Sequence, residues 1–269
     1  MDDRGETLHL EQPARRIISL APHLTENLFA IGAGDRLVGV TTFSDHPPDA
    51  RRIEIIGTYK DFDIERIIEL DPDVVFGWIS GNPSEPVARM DALGLPMFLT
   101  EPREIEHVAG EILRLGRLAG LDAEARRVAA KFEERIESLR RRYSQRDTVP
   151  VFYQVWHDPL ITLSGDHLIS KLITGCGGSN VFDDIDALAP RVGVEAVLAR
   201  DPEAIITGGP GNVRPEWLDE WRRYEFLLAA KRDNLFHVNP DIVQRHTTRL
   251  ADGMAALCEI IDTARRRRP

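Results

Sequence analysis

The side chains in this sequence that are best suited to ligand chemistry are aromatic rings that follow buried, strand-like runs. Phe43, Tyr59, Trp78 and Trp156 each stand just past an apolar run or in a loop flanked by polar residues. Any one of these rings could equally be a core residue. Four rings at equivalent positions favour an apolar wall, because flat rings stack well on a large planar or conjugated ligand. The pattern predicts a binding surface for a bulky small molecule.

The histidines would form a metal site only if distant loops converged. His23, His46, His157 and His246 each lie near the end of a predicted strand. Histidines combined with a carboxylate are a common metal-binding set, but nothing in the sequence brings these four together. We therefore expect no metal or other cofactor of the protein's own. His157 adjoins Trp156, so it is either a ligand-contacting residue that approaches a ligand's metal or an ordinary loop histidine.

The sequence lacks the motifs of common enzymes. It has no dinucleotide-binding glycine pattern, no phosphate-binding loop, no zinc-protease helix and no serine nucleophile elbow. The glycine-rich run at residues 207–211 follows a strand but lacks the Lys-Ser/Thr ending of a phosphate loop. We interpret this run as a tight turn at the carboxyl end of a strand, the edge at which open α/β folds bind ligands. The sequence therefore favours a binding protein over an enzyme.

The elements that must position these residues alternate between short apolar runs and amphipathic stretches, which is typical of an α/β fold with mainly parallel strands. Asp63 is suited to cap a short helix that ends before an Asp-Pro turn. Gly32 is suited to end an earlier helix in the left-handed conformation. The predicted strands are residues 16–20, 37–41, 73–78, 96–99 and 151–155.

The chain divides around a long charged stretch that contains a long amphipathic helix, with apolar residues on one face at 128, 132, 136 and 139. After it the strand–helix alternation restarts. We predict a first lobe at residues 1–103, a linking region at 104–146 and a second lobe at 147–269. An internal repeat supports the division, because the segments that begin at Glu65 and Glu195 share a helix, an Asp-Pro turn and a buried strand.

The composition limits the partners of the protein. The chain has 269 residues, is 42% hydrophobic and carries a formal net charge of −10, so nucleic acid is not an expected partner. It has no apolar run long enough to span a membrane and no visible secretory signal at Met1. The protein is thus either cytoplasmic or exported after removal of a signal peptide. Cys176 and Cys258 fit no metal motif and are either buried thiols or one disulfide.

The order and spacing of several motifs resemble the helical-backbone substrate-binding proteins of ABC importers, the group that takes up siderophores, haem and cobalamin. Within this group the likeness is strongest to the periplasmic cobalamin-binding branch, and it covers nearly the whole chain. The opening Arg16-Ile17-Ile18-Ser19-Leu20 is one such motif. The matching segments are residues 13–22, 38–40, 44–48, 63–67, 71–75, 176–182 and 197–202.

The resemblance implies two Rossmann-like α/β lobes joined by a single long backbone helix, with a ligand cleft between the lobes. It implies that Glu65 and Glu195 pair with arginines of a dimeric permease, and that Cys176 and Cys258 form a disulfide. It also implies a protein that acts as a monomer in the periplasm or outside the cell, with or without a lipid anchor. The implied ligand-binding residues are Phe43, Tyr59 and Trp78 in the first lobe, and Asp241 and Arg245 in the second.

The sequence departs from the cobalamin-binding pattern at three positions. Tyr59 replaces a larger ring, Ala189 stands where an aromatic residue is expected, and Trp156 replaces a small residue and could rebuild the wall from another side. A corrinoid is therefore the expected ligand, with a ferric siderophore or haem on the same fold as the alternative. A cytoplasmic metal-chelate enzyme or chaperone subunit is the alternative from another class.

Overall fold

The chain forms two α/β units in a computed structural model that describes residues 1–58, 61–209 and 211–269. The first unit comprises residues 1–102 and 106–132, and the second comprises residues 103–105 and 133–269. We call them the first lobe and the second lobe. The mixed α/β architecture with parallel sheets confirms the predicted fold class. The division of the sequence into three parts, with residues 104–146 as a separate linking region, stays a prediction.

The first lobe is built on a five-stranded sheet in the order β3-β2-β1-β4-β5. All neighbouring strands are parallel, and the central strands are buried almost throughout, as parallel sheets covered on both faces require. The strands are β1 (Ile17–Ser19), β2 (Leu37–Thr41), β3 (Ile55–Gly57), β4 (Val74–Trp78) and β5 (Met97–Thr100).

The helices of the first lobe begin and end where local signals predict. Asp63 accepts a hydrogen bond from the Arg66 amide at 2.9 Å and so caps the second helix. Gly32 has φ +83°, a left-handed conformation that glycine adopts without steric cost, just after the first helix. The helices are α1 (Pro22–Ala30), α2 (Ile64–Glu69), α3 (Ser84–Ala92) and α4 (Ile105–Leu118), with short 3-10 helices at Gly34–Arg36 and Pro48–Arg52.

The long charged stretch forms two helices, because the chain turns at Gly120, where φ is +64°. The second of them, α5 (Asp122–Tyr143), has 22 residues. Phe132 and Ile136 are buried on one of its faces, as the apolar spacing predicts. The boundary between the two lobes falls within this helix, after Phe132.

The second lobe repeats the parallel arrangement with four strands in the order β11-β10-β6-β9 and adds an antiparallel hairpin, β7-β8. The strands are β6 (Val149–Gln154), β7 (Trp156–His157), β8 (Leu160–Ile161), β9 (Gly178–Asn180), β10 (Ala204–Thr207) and β11 (Leu235–His237). The helices are α6 (Leu168–Gly175), α7 (Val194–Arg200), α8 (Leu228–Lys231), α9 (Pro240–Val243) and α10 (Leu250–Arg266), with a 3-10 helix at Glu216–Arg223.

The repeat seen in the sequence is also a repeat in local structure. Helix α2 leads through Asp71 into β4, and α7 leads through Asp201 into β10. Asp71 and Asp201 are both left-handed, with φ of 44° and 41°. A left-handed aspartate is uncommon, so its occurrence at both matching positions strengthens the repeat as a real correspondence. Glu65 and Glu195 are each the second residue of their helix.

Cys176 and Cys258 form a disulfide, which confirms the pairing implied by the family resemblance. Cys176 directly follows α6, Cys258 lies in α10, and neither residue is exposed to solvent. The bond therefore joins two helices inside the second lobe. Within the described ranges, no helix has the length and apolarity needed to cross a bilayer.

Candidate functional site

Two of the predicted ligand-binding rings lie at the carboxyl edge of the first sheet. Trp78 is the last residue of β4, and Phe43 follows the end of β2 by two residues. These two strands flank β1 and run parallel to it, so both end at the same edge. This is the edge at which open α/β sheets bind ligands. Tyr59, the third predicted ring of this lobe, lies outside the described residues.

Phe43 presents its ring to solvent on a strained turn. Its side chain is 66% exposed, and its φ of 67° is left-handed, a conformation that is unfavourable for a bulky residue. The Ser44 amide donates to the Thr41 carbonyl at 3.3 Å, and the Asp45 amide donates to the Phe43 carbonyl at 3.0 Å. Backbone strain of this kind concentrates at functional sites, where surrounding contacts hold it in place. An exposed phenyl ring in such a turn is suited to contact a ligand.

Trp78 is half-buried and fixed from three sides. Its amide donates to Asn82 Oδ1 at 2.7 Å, and the Asn82 side chain in turn donates to the Leu20 carbonyl at 2.9 Å. The His23 ring meets the indole edge-on at 5.2 Å between ring centroids. A side chain at Gly81 would collide with the indole carbon Cε3, so the ring rests against bare backbone. The indole is therefore held in one orientation before any ligand arrives.

Behind Trp78 lies a buried polar cluster that the sequence does not reveal. Glu111 of α4 is fully buried, and its Oε1 accepts a hydrogen bond from Asn27 Nδ2 at 2.9 Å. Its Oε2 lies 3.8 Å from His23 Nε2. Burial raises the pKa of Glu111 to about 7, against the opposing effects of hydrogen bonds from Thr100 and Asn27. His23 thus packs between a buried carboxyl group and a predicted ligand-binding ring.

The second lobe brings Trp156 and His157 to the carboxyl edge of its own sheet. Both residues form β7, which follows β6 directly. The Trp156 side chain is 40% exposed, and its indole Nε1 donates to the Asp158 carbonyl at 3.0 Å. The His157 ring stacks on Trp217, with 5.3 Å between ring centroids and 12° between the ring planes. Three rings therefore lie together at this edge, one more than the sequence suggested, and their contact with a ligand stays a prediction.

Trp217 was not among the ligand-binding residues predicted from the sequence. It lies in the 3-10 helix Glu216–Arg223, far from His157 in the chain, and nothing in its spacing points to that partner. The signal that was available is local. Trp217, Leu218 and Trp221 have the spacing of one helical face, which is typical of a short element with one anchored side.

Asp241 and Arg245 form an ion pair beyond the end of β11. Asp241 Oδ1 lies 3.0 Å from Arg245 Nη2, and the side chains are 45% and 15% exposed. Asn239 caps the short helix α9 by accepting a hydrogen bond from the Asp241 amide at 2.9 Å. The structure thus places both predicted polar residues on one turn that follows a strand of the second sheet. Their contact with a ligand stays a prediction.

The histidines considered as metal ligands occupy dissimilar places. His23 is buried in the first lobe, and His46 lies in the loop after β2. In the second lobe, burial lowers the pKa of His246 to about 4, and burial with the nearby charges of His246 and Lys171 does the same for His167. No three His, Cys, Asp or Glu side chains in the described ranges are arranged to hold a metal ion. The alternative metal site gains no support.

The turn at residues 207–211 and the two helix-borne acids complete the predicted features. Thr207 Oγ1 accepts a hydrogen bond from the Gly209 amide at 3.1 Å, and Gly209 has φ +57°, as expected of a tight turn. Pro210, within this run, lies outside the described residues.

Glu65 and Glu195 are both exposed. Neither carboxylate forms an ion pair within the parts of the chain that the structure describes.

The chain belongs to the periplasmic binding protein family, whose family model matches residues 17–242. It is 33% identical over 256 residues to the vitamin B12-binding protein of Vibrio campbellii, a match that covers 95% of this chain and 92% of that protein. The crystal structure of the periplasmic vitamin B12 binding protein BtuF of Vibrio cholerae is similar, with a TM-score of 0.85, 32% identity, and 94% and 98% of the two chains covered. These findings confirm the family resemblance.

A third similarity concerns the fold alone. The periplasmic haem-binding protein RhuT from Roseiflexus sp. RS-1 matches with a TM-score of 0.79 at 22% identity, over 93% of this chain and 99% of that one. Proteins that bind different chelates thus share this architecture. The fold therefore does not identify the ligand, which depends on the side chains at the sheet edges.

Proposed function

We propose that this protein is the substrate-binding protein of an ABC importer and that it captures cobalamin or a related corrinoid. The observation that carries the proposal is the pair of rings at the carboxyl edge of the first sheet, Phe43 exposed on a strained turn and Trp78 locked in place. Preformed aromatic faces lose little conformational entropy when a large ring system binds. The similarity to vitamin B12-binding proteins supports the choice of ligand.

Calorimetric titration of the purified protein with cyanocobalamin, haem and ferric siderophores tests this ligand assignment. We expect cyanocobalamin to bind more tightly than the other chelates. Tight binding of haem or of a siderophore, with no binding of cyanocobalamin, would replace the corrinoid by that ligand on the same fold. The remaining predicted contacts, Tyr59, Trp156, His157, Asp241 and Arg245, belong to the same proposal.

Phe43→Ala should weaken cyanocobalamin binding roughly tenfold, because removal of one stacked ring costs about 1–2 kcal/mol of binding free energy. Phe226→Ala is a matched control. Phe226 is 69% exposed, and the neighbouring Leu228 amide donates to Asp201 at 2.8 Å, at the opposite, amino edge of the second sheet. We expect this control to bind like the wild type. Equal dissociation constants for Phe43→Ala and the wild type would remove Phe43 from the site.

We propose that Glu65 and Glu195 dock the loaded protein on a permease dimer. Each acid is exposed in the first turn of an equivalent helix, one in each lobe, which suits a partner with two equivalent subunits. Exposed charge pairs mainly steer and orient such docking. The proposal includes a monomeric binding protein. The family and the disulfide support a location outside the cytoplasm, with or without a lipid anchor, and we propose no catalytic activity.

Reversal of both charges, Glu65→Arg with Glu195→Arg, should slow uptake at least about tenfold while leaving the dissociation constant for the ligand unchanged, since opposed charges become like charges across the contact. The measurement is the uptake of labelled cyanocobalamin into vesicles that contain the cognate permease. The double variant Glu133→Arg with Glu134→Arg, on the exposed face of α5, makes the same change of about +4 in net charge and is the control. Uptake at the wild-type rate by the double variant would contradict the docking role.

A further inference from the structure

The aromatic surface of the second lobe has a third ring, Trp217, which is held in place by its surroundings as Trp78 is in the first lobe. It lies in the connection that leaves β10 at the carboxyl edge of the sheet, and His157 lies in the hairpin that leaves the neighbouring strand β6 at that edge. The two rings are almost parallel, at 12°. Two separate connections therefore supply one continuous aromatic surface.

The segment that carries Trp217 is anchored to the core of the second lobe. Leu218 is fully buried, Trp221 is 5% exposed, and the Trp221 Nε1 donates to Gln154 Oε1 at 2.8 Å. Trp221 also packs edge-on against Phe152 of β6, with 5.7 Å between ring centroids. The short helix is thus fixed to the core of the second lobe, which limits movement of the indole above it.

The same segment is braced on its exposed side. The Asp219 carboxylate accepts two hydrogen bonds from Arg214, at 2.7 and 2.8 Å, and one from Arg222 at 2.8 Å. Bidentate guanidinium–carboxylate contacts restrict geometry more than single ion pairs do. The hydrogen bonds from Arg214 and Arg222 also hold the pKa of Asp219 well below its usual range.

A core role does not account for this pair of rings. His157 is exposed, Trp217 is half-buried, and Trp156 beside them is 40% exposed. A shallow pocket opens at the pair, bordered also by Leu160, Val194 and Tyr224. Rigid, partly exposed aromatic surface next to a pocket at a ligand-binding edge is suited to contact a flat apolar face.

We propose that Trp217 is a ligand-contacting residue and that His157 positions it by stacking. The ligand is a bulky chelate with a flat conjugated ring system, and the contact is between ring faces. This inference rests on the proposed function and adds the second lobe's share of the aromatic contact, to which Ala189 contributes no ring. It also assigns His157 a role in stacking rather than in coordination of the ligand's metal.

Titration calorimetry with cyanocobalamin and with haem, on the full chain, tests the assignment. We expect Trp217→Leu to raise the dissociation constant of the chelate that the wild type binds by about tenfold, because an aliphatic chain cannot replace the stacked face. Trp217→Phe, which keeps an aromatic face, should stay within about threefold of the wild type. Phe226→Leu, which removes a more exposed ring that packs against Tyr224 and does not stack on His157 or Trp217, should bind unchanged.

His157→Phe distinguishes stacking on Trp217 from coordination of the ligand's metal, because it keeps an aromatic ring and removes both ring nitrogens. We expect this variant to bind the chelate within about threefold of the wild-type affinity. Its visible spectrum with aquocobalamin should match that of the wild-type protein with aquocobalamin. Loss of a wild-type spectral shift in this variant would overturn the positioning role in favour of metal coordination. Equal affinity of Trp217→Leu and the wild type would overturn the inference alone, whereas a wild type that binds neither chelate would overturn it together with the proposed function.

Discussion

Replacement of both cysteines, Cys176→Ala with Cys258→Ala, is expected to lower the free energy of unfolding by about 4 kcal/mol. The disulfide closes a loop with a sequence separation of 82 residues, so its removal returns considerable conformational entropy to the unfolded chain. Both sulfur atoms are buried, so their removal also costs a small amount of packing energy in addition to the entropy of the loop. Folded protein should still form, with the same sheet order.

Guanidinium unfolding followed by circular dichroism measures this change through the midpoint concentration. Wild-type protein unfolded with a thiol reductant is the matched control, because it breaks the same bond without changing the side chains. A double variant within about 1 kcal/mol of the oxidised wild type would contradict the expected contribution of the loop.

Glu111→Gln is expected to remove a pH dependence of stability worth about 3 kcal/mol. The pKa of Glu111 is about 7 in the folded protein, against an ordinary value of 4.5, so the folded state favours the protonated carboxyl group. Its contribution to stability is complete below about pH 4.5 and is lost as the pH rises through 7. Glutamine resembles the protonated acid in shape and keeps an oxygen for Asn27.

Unfolding free energies measured from pH 4.5 to 8 should therefore converge at the acidic end and separate at the alkaline end, where the variant is the more stable protein. Arg114 favours ionisation of the Glu111 carboxyl group and Asp3 opposes it, and both effects are absent from the glutamine variant. Glu133→Gln, on the exposed surface of α5, should keep the wild-type profile. Parallel curves for Glu111→Gln and the wild type would show that the carboxyl group titrates as it does in the unfolded chain.

Local signals explain why the fold was predictable from the sequence. Asp63 caps α2, Gly32 follows α1 in the left-handed conformation, and apolar runs of strand length become the buried parallel strands. Phe43 and Trp78 could be placed at a sheet edge for the same reason, because Phe43 follows such a run and Trp78 ends one. These features depend on residues close together in the chain.

The features that escaped prediction depend on residues far apart in the chain. Glu111 has the sequence surroundings of an ordinary acid on an amphipathic helix, and its burial follows from Asn27 and His23 on a different helix. Trp217 gains its stacking partner His157 only when two connections meet. The disulfide followed from family resemblance, since the spacing of Cys176 and Cys258 left free thiols equally open.

The bare backbone at Gly81 has a consequence for how cargo preference changes during evolution. Any side chain there would collide with Trp78 and tilt the indole that we assign to the ligand. A substitution at Gly81 can therefore change which ligand is preferred, although glycine has no side chain with which to contact the ligand. Two relatives with identical aromatic residues could then bind different chelates. A comparison of their aromatic positions alone would wrongly assign them the same ligand.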